Sequence, residues 1–472
     1  MTTFISTAIP FVNARPHLGF AYELVLADVL ARHHRRRGRA VHFVTGTDDN
    51  SLKNVVAARD AGITPRALVD RNAAAFAELC PLLDVAPDDF LRTSTDPRHR
   101  PTVEWLWRAC AGDLYRRRWT GRYCAGCEAF VDDDIVICPE HHVAPETVSE
   151  ENWFFRLSRY REPLREAVTS GRLAIVPESA RAETLAFLAG EVRDLSVSRI
   201  ASRSDGWGIP VPDDPSQVIY VWFDALANYL SSIGEGGWRT ADRTHVIGKG
   251  ITRFHAVYWP AFLLAAGLPL PDRLFVHGYL TGDGVKLSKS SHAGPIDPVV
   301  ARCGADALRW FYLRRCRTRT DSDVSIRAIC DAHDGDLADR LGNLVQRCIT
   351  LAVKLGDVPA SDDASALHAL AAALPSRIDT ALAAFAPDEA TAAVIELLDA
   401  ANRHLEVTAP WRLARTDPAA AARALHAPLA VARIAAAELA PFVPGIARTI
   451  AARLALPLVA GPPPIPRIGV AR

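Results

Sequence analysis

The stretch that decides the fold covers residues 2–62 and reads TTFISTAIPFVNARPHLGFAYELVLADVLARHHRRRGRAVHFVTGTDDNSLKNVVAARDAG. Within it, TTFISTAI and RAVHFVTGTD are short apolar runs typical of buried strands. Each run is followed by a segment with helical periodicity, over 17–38 and 51–62. This β-α-β-α order predicts an α/β fold with a doubly wound, parallel sheet. Ligands of such sheets bind at the carboxyl ends of the strands, so we expect the functional residues there.

The rest of the chain contains several segments that differ in composition and predicted secondary structure. Residues 115–150 form a Cys- and His-rich insert with few strand signals, and strand and helix signals return over about 205–285. Residues 331–455 are Ala- and Leu-rich and almost wholly helical, which predicts a separate helical bundle. We expect the Pro-rich tail after it to be extended or frayed.

Composition excludes some classes of protein. The 472 residues are too many for one core, so two to four domains are expected. No apolar run approaches a membrane span and the N-terminus lacks the pattern of a signal peptide, so we expect a cytoplasmic protein. Lys plus Arg equals Asp plus Glu at 54 each, so net charge gives no support to nucleic-acid binding. Basic clusters at 33–39, 116–118 and 314–319 are each typical of a solvated helix end.

Two short motifs could bind phosphate. HLGF (17–20) follows a strand and opens a helix, where free backbone N–H groups and the helix dipole favour an anion. His17 can donate a hydrogen bond to that phosphate, and Gly19 lets a flat adenine approach the backbone. KLSKS (286–290) carries two lysines that could close over a triphosphate and neutralise charge as pyrophosphate leaves. Taken alone, each motif is also compatible with an ordinary helix start or a solvated loop.

The order of these motifs in one doubly wound chain resembles the class I aminoacyl-tRNA synthetases, whose signatures are His-Ile-Gly-His and Lys-Met-Ser-Lys-Ser. The chain is most similar to the methionyl-tRNA synthetases, in the stretches AIPFVNARPHLGF, VHFVTGTDDN, RDLSVSR, WGIPVP, YVWFDALANYL, HVIGKGITRFHAVYWPAFL, LFVHGYLTGDGVKLSKS and DLADRLGNLVQR. The resemblance implies a ligase that uses ATP with Mg²⁺ to activate an amino acid, with methionine favoured, and transfers it to the 3′ end of tRNA(Met). It implies catalytic roles for His17, Lys286 and Lys289, and ATP binding by those three with Gly19, Phe20, Ser288 and Ser290.

The resemblance also implies the domain boundaries. Residues 1–113 and 205–285 are the expected halves of the catalytic nucleotide-binding domain, separated by a connective peptide over 114–204. Residues 286–330 are expected to hold the KLSKS loop and a region that contacts the RNA stem, and 331–472 a helical anticodon-binding domain. The family's optional C-terminal dimerising appendix has no room here, so we expect a monomer.

The insert carries a predicted metal site. Cys124 and Cys127 form a CxxC pair, and Cys138 and His141 form a CxxH pair. Three thiolates and one imidazole suit tetrahedral Zn²⁺, and four protein ligands predict a closed, structural site. His142 could substitute for His141, and a set of buried cysteines with a surface histidine is the alternative. Methionyl enzymes resemble this arrangement in their zinc knuckle, expected here over about 122–143.

A thioether side chain needs an apolar pocket lined with aromatic rings. Carried over residue by residue, the resemblance assigns Asp48 to the substrate ammonium group. It assigns the remaining pocket to Ile9, Phe11, Trp222, Ala225, Leu226, Tyr229, Ile251, His255 and Trp259. These aromatic residues could instead simply form the core, above all Trp259.

The helical end carries three residues that match anticodon-binding positions of the family. Asn343 and Arg347 lie four residues apart, so they project from one face of a helix. Trp411 matches a tryptophan on which an anticodon base stacks, which is how single-stranded RNA loops are bound. A tryptophan packed in the bundle core is the alternative.

The chain also departs from the family pattern. In the pocket, Phe11 replaces a usual tyrosine and Leu226 a common proline. Four further departures fall at positions that the resemblance places close to the nucleotide: Phe20 in place of the second signature histidine, Asp49-Asn50-Ser51 in place of Glu-His-Gly, Gly250 in place of an aspartate, and one extra residue after KLSKS within Ser291–Gly294. Losing one phosphate donor costs about 10²–10³ in rate.

Three hypotheses therefore stay open. The first is a methionine–tRNA ligase. The second is a biosynthetic paralogue that passes an activated amino acid to a small-molecule acceptor, and the third is a catalytically inactive tRNA-binding protein. The retained KLSKS motif argues against the third.

Overall fold

The computed structural model describes residues 1–124, 129–131, 134–138, 143–282, 285–286, 296–356, 358 and 366–469. The chain divides into two compact units. The first comprises Met1–Pro16, Gly38–Cys80 and Ala86–His277, and the second comprises His17–Arg37, Pro81–Val85 and Gly278–Arg472. The helix that follows the first strand therefore belongs to the second unit.

The strands of the first unit form a parallel sheet and two antiparallel sheets. In chain order they are β1 Thr3–Thr7, β2 Val41–Thr47, β3 Asp89–Arg92, β4 Leu114–Cys124, β5 Ala129–Val131, β6 Glu146–Phe155, β7 Ala174–Val176, β8 Leu195–Ser196, β9 Ser198–Ile200, β10 Pro210–Val211, β11 Asp214–Ile219, β12 Asp242–Gly248 and β13 Arg273–His277.

The predicted parallel sheet is confirmed. Its order is β3-β2-β1-β12-β13-β7, and every neighbouring pair is parallel. All five residues of β1 are buried, as expected for a central strand with both faces covered. From β1 the chain moves outward through β2 to β3, and it later returns to the other side of β1 with β12. This reversal puts a switch point at the carboxyl ends of β1 and β12, the usual place for a ligand.

Helices connect these strands. The helices of the first unit are Leu52–Asp60, Pro65–Leu82, His99–Ala109, Arg161–Ser170, Glu178–Ala189, Val221–Leu226, Asn228–Thr240 and Trp259–Ala265, the last preceded by a π-helical segment Phe254–Tyr258. Large apolar side chains from several of them, including Leu106, Phe223, Trp238 and Phe262, form one core with the sheet.

The expectation of a strand-poor insert was wrong. β4 and β6 pair antiparallel from Leu114↔Phe155 to Tyr123↔Glu146, in a four-stranded sheet of order β5-β4-β6-β8. The sequence concealed this hairpin because three successive arginines, 116–118, are exposed in the middle of β4. Charged residues on consecutive positions remove the alternation of apolar and polar residues by which a strand is usually detected. A second small sheet has the order β10-β11-β9.

The second unit is mainly helical, and the prediction that the C-terminal part of the chain is helical is confirmed. Its helices are Leu18–Arg36, Ile296–Cys303, Ala305–Arg315, Ile326–Ala332, Asn343–Leu355, Ala366–Ala383, Pro387–Thr408, Pro410–Leu413, Pro418–Leu439 and Pro444–Arg453, with a π-helical segment His333–Gly342. A small sheet of order β15-β14-β16 is formed by β14 Leu280–Gly282, β15 Val285–Lys286 and β16 Ser322–Asp323.

A buried arginine organises this unit. Arg309 is fully buried, and its Nη2 donates to the equally buried Asp28 at 2.7 Å. Nη2 also donates to the backbone carbonyl of Pro441, and the rest of the guanidinium donates to the carbonyls of Leu83, Asp84 and Phe442. Helix Leu18–Arg36 is thereby tied to helix Ala305–Arg315 by an ion pair with almost no access to water.

Of the basic clusters, the one at 33–39 ends helix Leu18–Arg36 as expected but is ion-paired as well as solvated, and the one at 116–118 is not at a helix end. In the cluster at 33–39, Arg36 and Arg37 both form ion pairs with Glu438, which is only 4% exposed. Burial alone would raise the pKa of Glu438, but the hydrogen bonds from Arg37 and Arg36 lower it. The cluster at 116–118 lies in strand β4.

As far as Gly469, the last residue described, the Pro-rich tail contains neither helix nor strand, and it is not frayed there. Ile465 is buried against Gly342. The Asp334 carboxylate accepts hydrogen bonds from the backbone N–H groups of Ile468 (2.9 Å) and Gly469 (3.0 Å). The tail is therefore attached to the bundle.

Candidate functional site

The carboxyl ends of β1 and β2 bring two predicted pocket residues together. Phe11 forms an isolated parallel bridge with Asp48, and the Asp48 N–H donates to Pro10 O at 2.9 Å. Asp48 is 1% exposed. A buried carboxylate at this edge is suited to binding an ammonium group, because the attraction between the two opposite charges compensates for the water that each charge loses.

An aromatic wall stands on the other side of the switch point. The Trp222 ring meets Phe11 edge-on at 6.1 Å and stacks on Phe254, with ring centroids 3.7 Å apart and planes 8° from parallel. Sequence analysis missed Phe254. The aromatic residue directly before His255 in ITRFHAVYW was the signal that could have identified it.

Tyr229 and His255 form a polar pair inside this apolar region. The two side chains are 1% exposed, and the Tyr229 hydroxyl oxygen lies 2.8 Å from His255 Nε2. His255 Nδ1 donates to Ile251 O at 3.1 Å, so Nε2 accepts from the tyrosine. Burial lowers the pKa of His255 to about 4. The imidazole is therefore neutral near pH 7, and the pocket gains no charge from it.

The remaining predicted pocket residues differ in exposure. Ala225 and Leu226 are buried in helix Val221–Leu226, whereas Ile9 and Ile251 are half-buried. Trp259 is fully buried and packs edge-on against Tyr229 and Trp238. Its position is that of a core residue behind Tyr229.

The loop after β2 holds a network that sequence analysis did not anticipate. Asp49 is fully buried and accepts hydrogen bonds from Thr47, Ser94 and Arg92. Burial raises the pKa of Asp49, although the hydrogen bonds and the charge of Arg92 oppose that shift. Ser51 caps helix Leu52–Asp60 by accepting from the Lys53 N–H. The unusual Asp49-Asn50-Ser51 triplet is thus fully integrated into the fold.

The first phosphate motif opens a helix, as predicted. His17 is the N-cap of helix Leu18–Arg36, and its Nδ1 accepts from the Gly19 N–H at 3.1 Å. A Cβ on residue 19 would lie 2.9 Å from the His17 ring, so glycine makes room for the imidazole. Phe20 is 8% exposed. Of the second motif, the backbone of Lys286 lies in β15, while Ser288, Lys289 and Ser290 fall outside the described residues.

Half of the predicted zinc site can be placed. Cys124 ends β4, and Cys124 and Cys138 are both buried thiols not joined in a disulfide. Cys127, His141 and His142 lie outside the described ranges. Within those ranges no group of three or more His, Cys, Asp or Glu side chains could hold a metal ion. Two buried thiols have the soft-donor chemistry that Zn²⁺ requires.

The three predicted anticodon-binding residues lie in the second unit. Asn343 and Arg347 are on helix Asn343–Leu355, with Asn343 exposed. The Arg347 guanidinium lies 5.0 Å from the centre of the Trp411 ring. Trp411 is 42% exposed, which excludes the alternative of a tryptophan packed in the bundle core.

Helices long and apolar enough to cross a membrane are absent from the part of the chain that is described.

Two protein-family models match the chain. One, described as class I (M) tRNA synthetases, matches residues 3–147 and 141–349. The other, described as the anticodon-binding domain of methionyl tRNA ligase, matches residues 358–461.

Similar proteins are found among curated sequences and solved structures. The methionine–tRNA ligase of Mesorhizobium japonicum is 37% identical over 478 residues, which cover 96% of this chain and 91% of the relative. The enzyme of the same name from Brucella suis is 38% identical over 480 residues, covering 96% and 92%. The structure of Mycobacterium tuberculosis methionyl-tRNA synthetase in complex with methionyl-adenylate matches with a TM-score of 0.90 at 36% identity, over 95% of this chain and 93% of that chain.

Proposed function

We propose a function from the premise that this chain belongs to the methionyl class I tRNA synthetase family. The chain is a ligase that uses ATP to activate methionine as methionyl-adenylate and transfers the methionyl group to tRNA(Met). The observation that carries this function is the extent of the likeness, which covers 96% of the chain at 37% identity and includes an anticodon-binding model. A small-molecule acceptor would have no use for an anticodon-binding region, so that alternative is less well supported.

In the first step, the methionine carboxylate attacks the α-phosphorus of ATP and pyrophosphate leaves. Asp48 holds the substrate ammonium group, and the thioether lies among Phe11, Trp222, Tyr229 and His255, with Ile9, Ala225, Leu226, Ile251 and Trp259 completing or supporting the pocket. Because His255 is neutral, the pocket offers polarity without a charge that would favour an acidic or basic side chain. Catalysis is placement and charge stabilisation, without a covalent enzyme intermediate.

His17, Lys286 and Lys289 bind the phosphates with Mg²⁺, while Gly19, Phe20, Ser288 and Ser290 complete the nucleotide site. The geometry at the helix start supports the role of His17, because Nδ1 accepts from the Gly19 N–H and the proton of the neutral imidazole is therefore on Nε2, which can donate to a phosphate. In the second step the terminal ribose hydroxyl of tRNA attacks the adenylate carbonyl. Asn343, Arg347 and Trp411 bind the anticodon.

Cys124, Cys127, Cys138 and His141 would hold a structural Zn²⁺ that stabilises the end of the connective hairpin. The domain boundaries proposed from the sequence are retained, with the catalytic halves at 1–113 and 205–285. A monomer in the cytoplasm is the proposed working state.

The test is ATP–pyrophosphate exchange with each of the twenty amino acids, with and without tRNA. Methionine-dependent exchange together with charging of tRNA(Met) is expected. Exchange that prefers another amino acid, without charging, would select the biosynthetic paralogue, and tRNA binding without exchange would select the inactive protein. Phe20→His in the same assay shows whether the altered first motif weakens the enzyme, in which case methionine exchange rises strongly.

A further inference from the structure

We infer that Asn50 is a positioning residue that fixes the distance between the ammonium-binding Asp48 and the aromatic wall of the methionine pocket. The inference rests on the proposed function and assigns a role to a residue at which the sequence departs from the family pattern. Asn50 would act through its neighbours and need not touch the substrate.

Asn50 contacts both sides of the pocket. Its backbone N–H donates to Asp48 Oδ1 at 3.2 Å, and its side-chain Nδ2 donates to Asp224 Oδ2 at 2.8 Å. Asp48 follows β2, whereas Asp224 lies on helix Val221–Leu226, the helix that carries Trp222. One residue therefore connects the carboxylate that would bind the ammonium group to the helix that would bind the side chain.

The Asp224 end of this connection is rigid. Asp224 and His99 are both fully buried, and His99 Nε2 lies 2.5 Å from Asp224 Oδ1. His99 Nδ1 lies 2.9 Å from the Ser231 hydroxyl, which itself donates to Ala227 O. A buried carboxylate is tolerated only where donors surround it, so Asp224 is held in one place by its partners.

The loop end is rigid as well. The Asn54 amide donates to Asp48 O (3.0 Å) and to Asp49 O (2.9 Å), and the Trp207 indole N–H donates to Asp49 O at 2.8 Å. These bonds hold the loop backbone without using the Asn50 side chain. Loss of the Asn50 amide would thus leave the loop and the helix individually intact while removing a direct link between them.

Such a change predicts a particular kinetic signature. A link that aligns two parts of the methionine site affects methionine binding in the ground state and in the transition state alike, which raises KM with little change in kcat. Loss of a hydrogen bond to a charged group is expected to raise the KM for methionine about tenfold. The KM for ATP should stay within about twofold, because none of the contacts in this network involves the two phosphate motifs.

The experiment measures methionine-dependent ATP–pyrophosphate exchange for the full-length wild type, Asn50→Ala and Asn50→His. We expect Asn50→Ala to raise the KM for methionine about tenfold, and Asn50→His, whose imidazole keeps an N–H donor, to restore most of the loss. Asn402→Ala is the matched control, because the Asn402 amide likewise donates two hydrogen bonds, in this case to backbone carbonyls of the helical bundle. Its KM for methionine should equal that of the wild type.

The outcomes separate the inference from the proposed function. A wild type without methionine exchange overturns the proposed function, and the inference with it. An active wild type whose KM for methionine is unchanged in Asn50→Ala, or whose KM for ATP rises equally, overturns the inference alone. If Asn50→Ala does not fold, Asn50→Ser supplies the same test, since its hydroxyl is too short to reach Asp224.

Discussion

Replacing Trp411 by alanine tests the proposed anticodon surface. Because the ring is 42% exposed, its removal costs the fold little, and any large effect reports on RNA binding. Stacking of one base on an aromatic side chain is worth about 1–3 kcal/mol by alanine substitution. We therefore expect Trp411→Ala to raise the KM for tRNA(Met) in aminoacylation about 5- to 150-fold. Methionine exchange without tRNA should be unchanged.

The contribution of Arg347 can be tested in the same aminoacylation assay. Its guanidinium lies 5.0 Å from the Trp411 ring, and an exposed cation–π contact is worth about 0.5–1 kcal/mol. If Arg347 acts partly by holding the ring, the loss of tRNA-binding free energy in the double variant Arg347→Ala/Trp411→Ala should be smaller than the sum of the losses in the two single variants. The expected difference is about 0.5–1 kcal/mol. Val353→Ala, with a similar exposure of 41% on the same helix as Arg347, is the control.

Two results would refute this reasoning. A Trp411→Ala enzyme whose KM for tRNA changes by less than about twofold would show that no base stacks on the ring. A parallel fall in tRNA-independent exchange would show that the substitution damages the enzyme as a whole.

Three further predictions concern the interior. Arg309→Met removes the buried cation paired with Asp28, which keeps only Arg32, and the donor to the carbonyls of Leu83, Pro441 and Phe442, so the second unit should lose about 3–5 kcal/mol of stability in urea unfolding, and a loss below about 1 kcal/mol would contradict the buried pair. Because the pKa of His255 is lowered to about 4, its neutral form stabilises the fold fully above the unfolded pKa of about 6.5, and that contribution is lost as the pH falls toward 4. Between pH 7.5 and pH 5.0, the free energy of unfolding should fall by about 2 kcal/mol less in His255→Gln than in the wild type. Equal falls in the two proteins would refute the assignment. Elemental analysis should find one Zn²⁺ per chain in the wild type and much less in Cys138→Ser, whereas equal zinc in both would exclude Cys138 as a ligand.

The parallel sheet was predictable because buried parallel strands are continuous apolar runs, and β1 and β2 are of this kind. The hairpin of β4 and β6 was not, because exposed arginines occupy consecutive positions of β4. The pocket residues could be identified from resemblance alone, since no local pattern places Trp222 beside Phe11. The contacts of Phe254 with Trp222 and of Asn50 with Asp224 were not predicted, because they join segments far apart in sequence and follow from tertiary packing.

The pairing of Asp28 with Arg309 has a consequence for synthesis on the ribosome. The two residues are separated by 281 positions, so at about 5–20 residues per second the partner arrives roughly 15 to 60 seconds after the aspartate. During that interval the buried Asp28 has only Arg32 of its own helix as a cationic partner, and the second cation, from helix Ala305–Arg315, is missing. Newly made chains should therefore pass through a stage in which the early helix is available to chaperones, and slow decoding before codon 309 would prolong it.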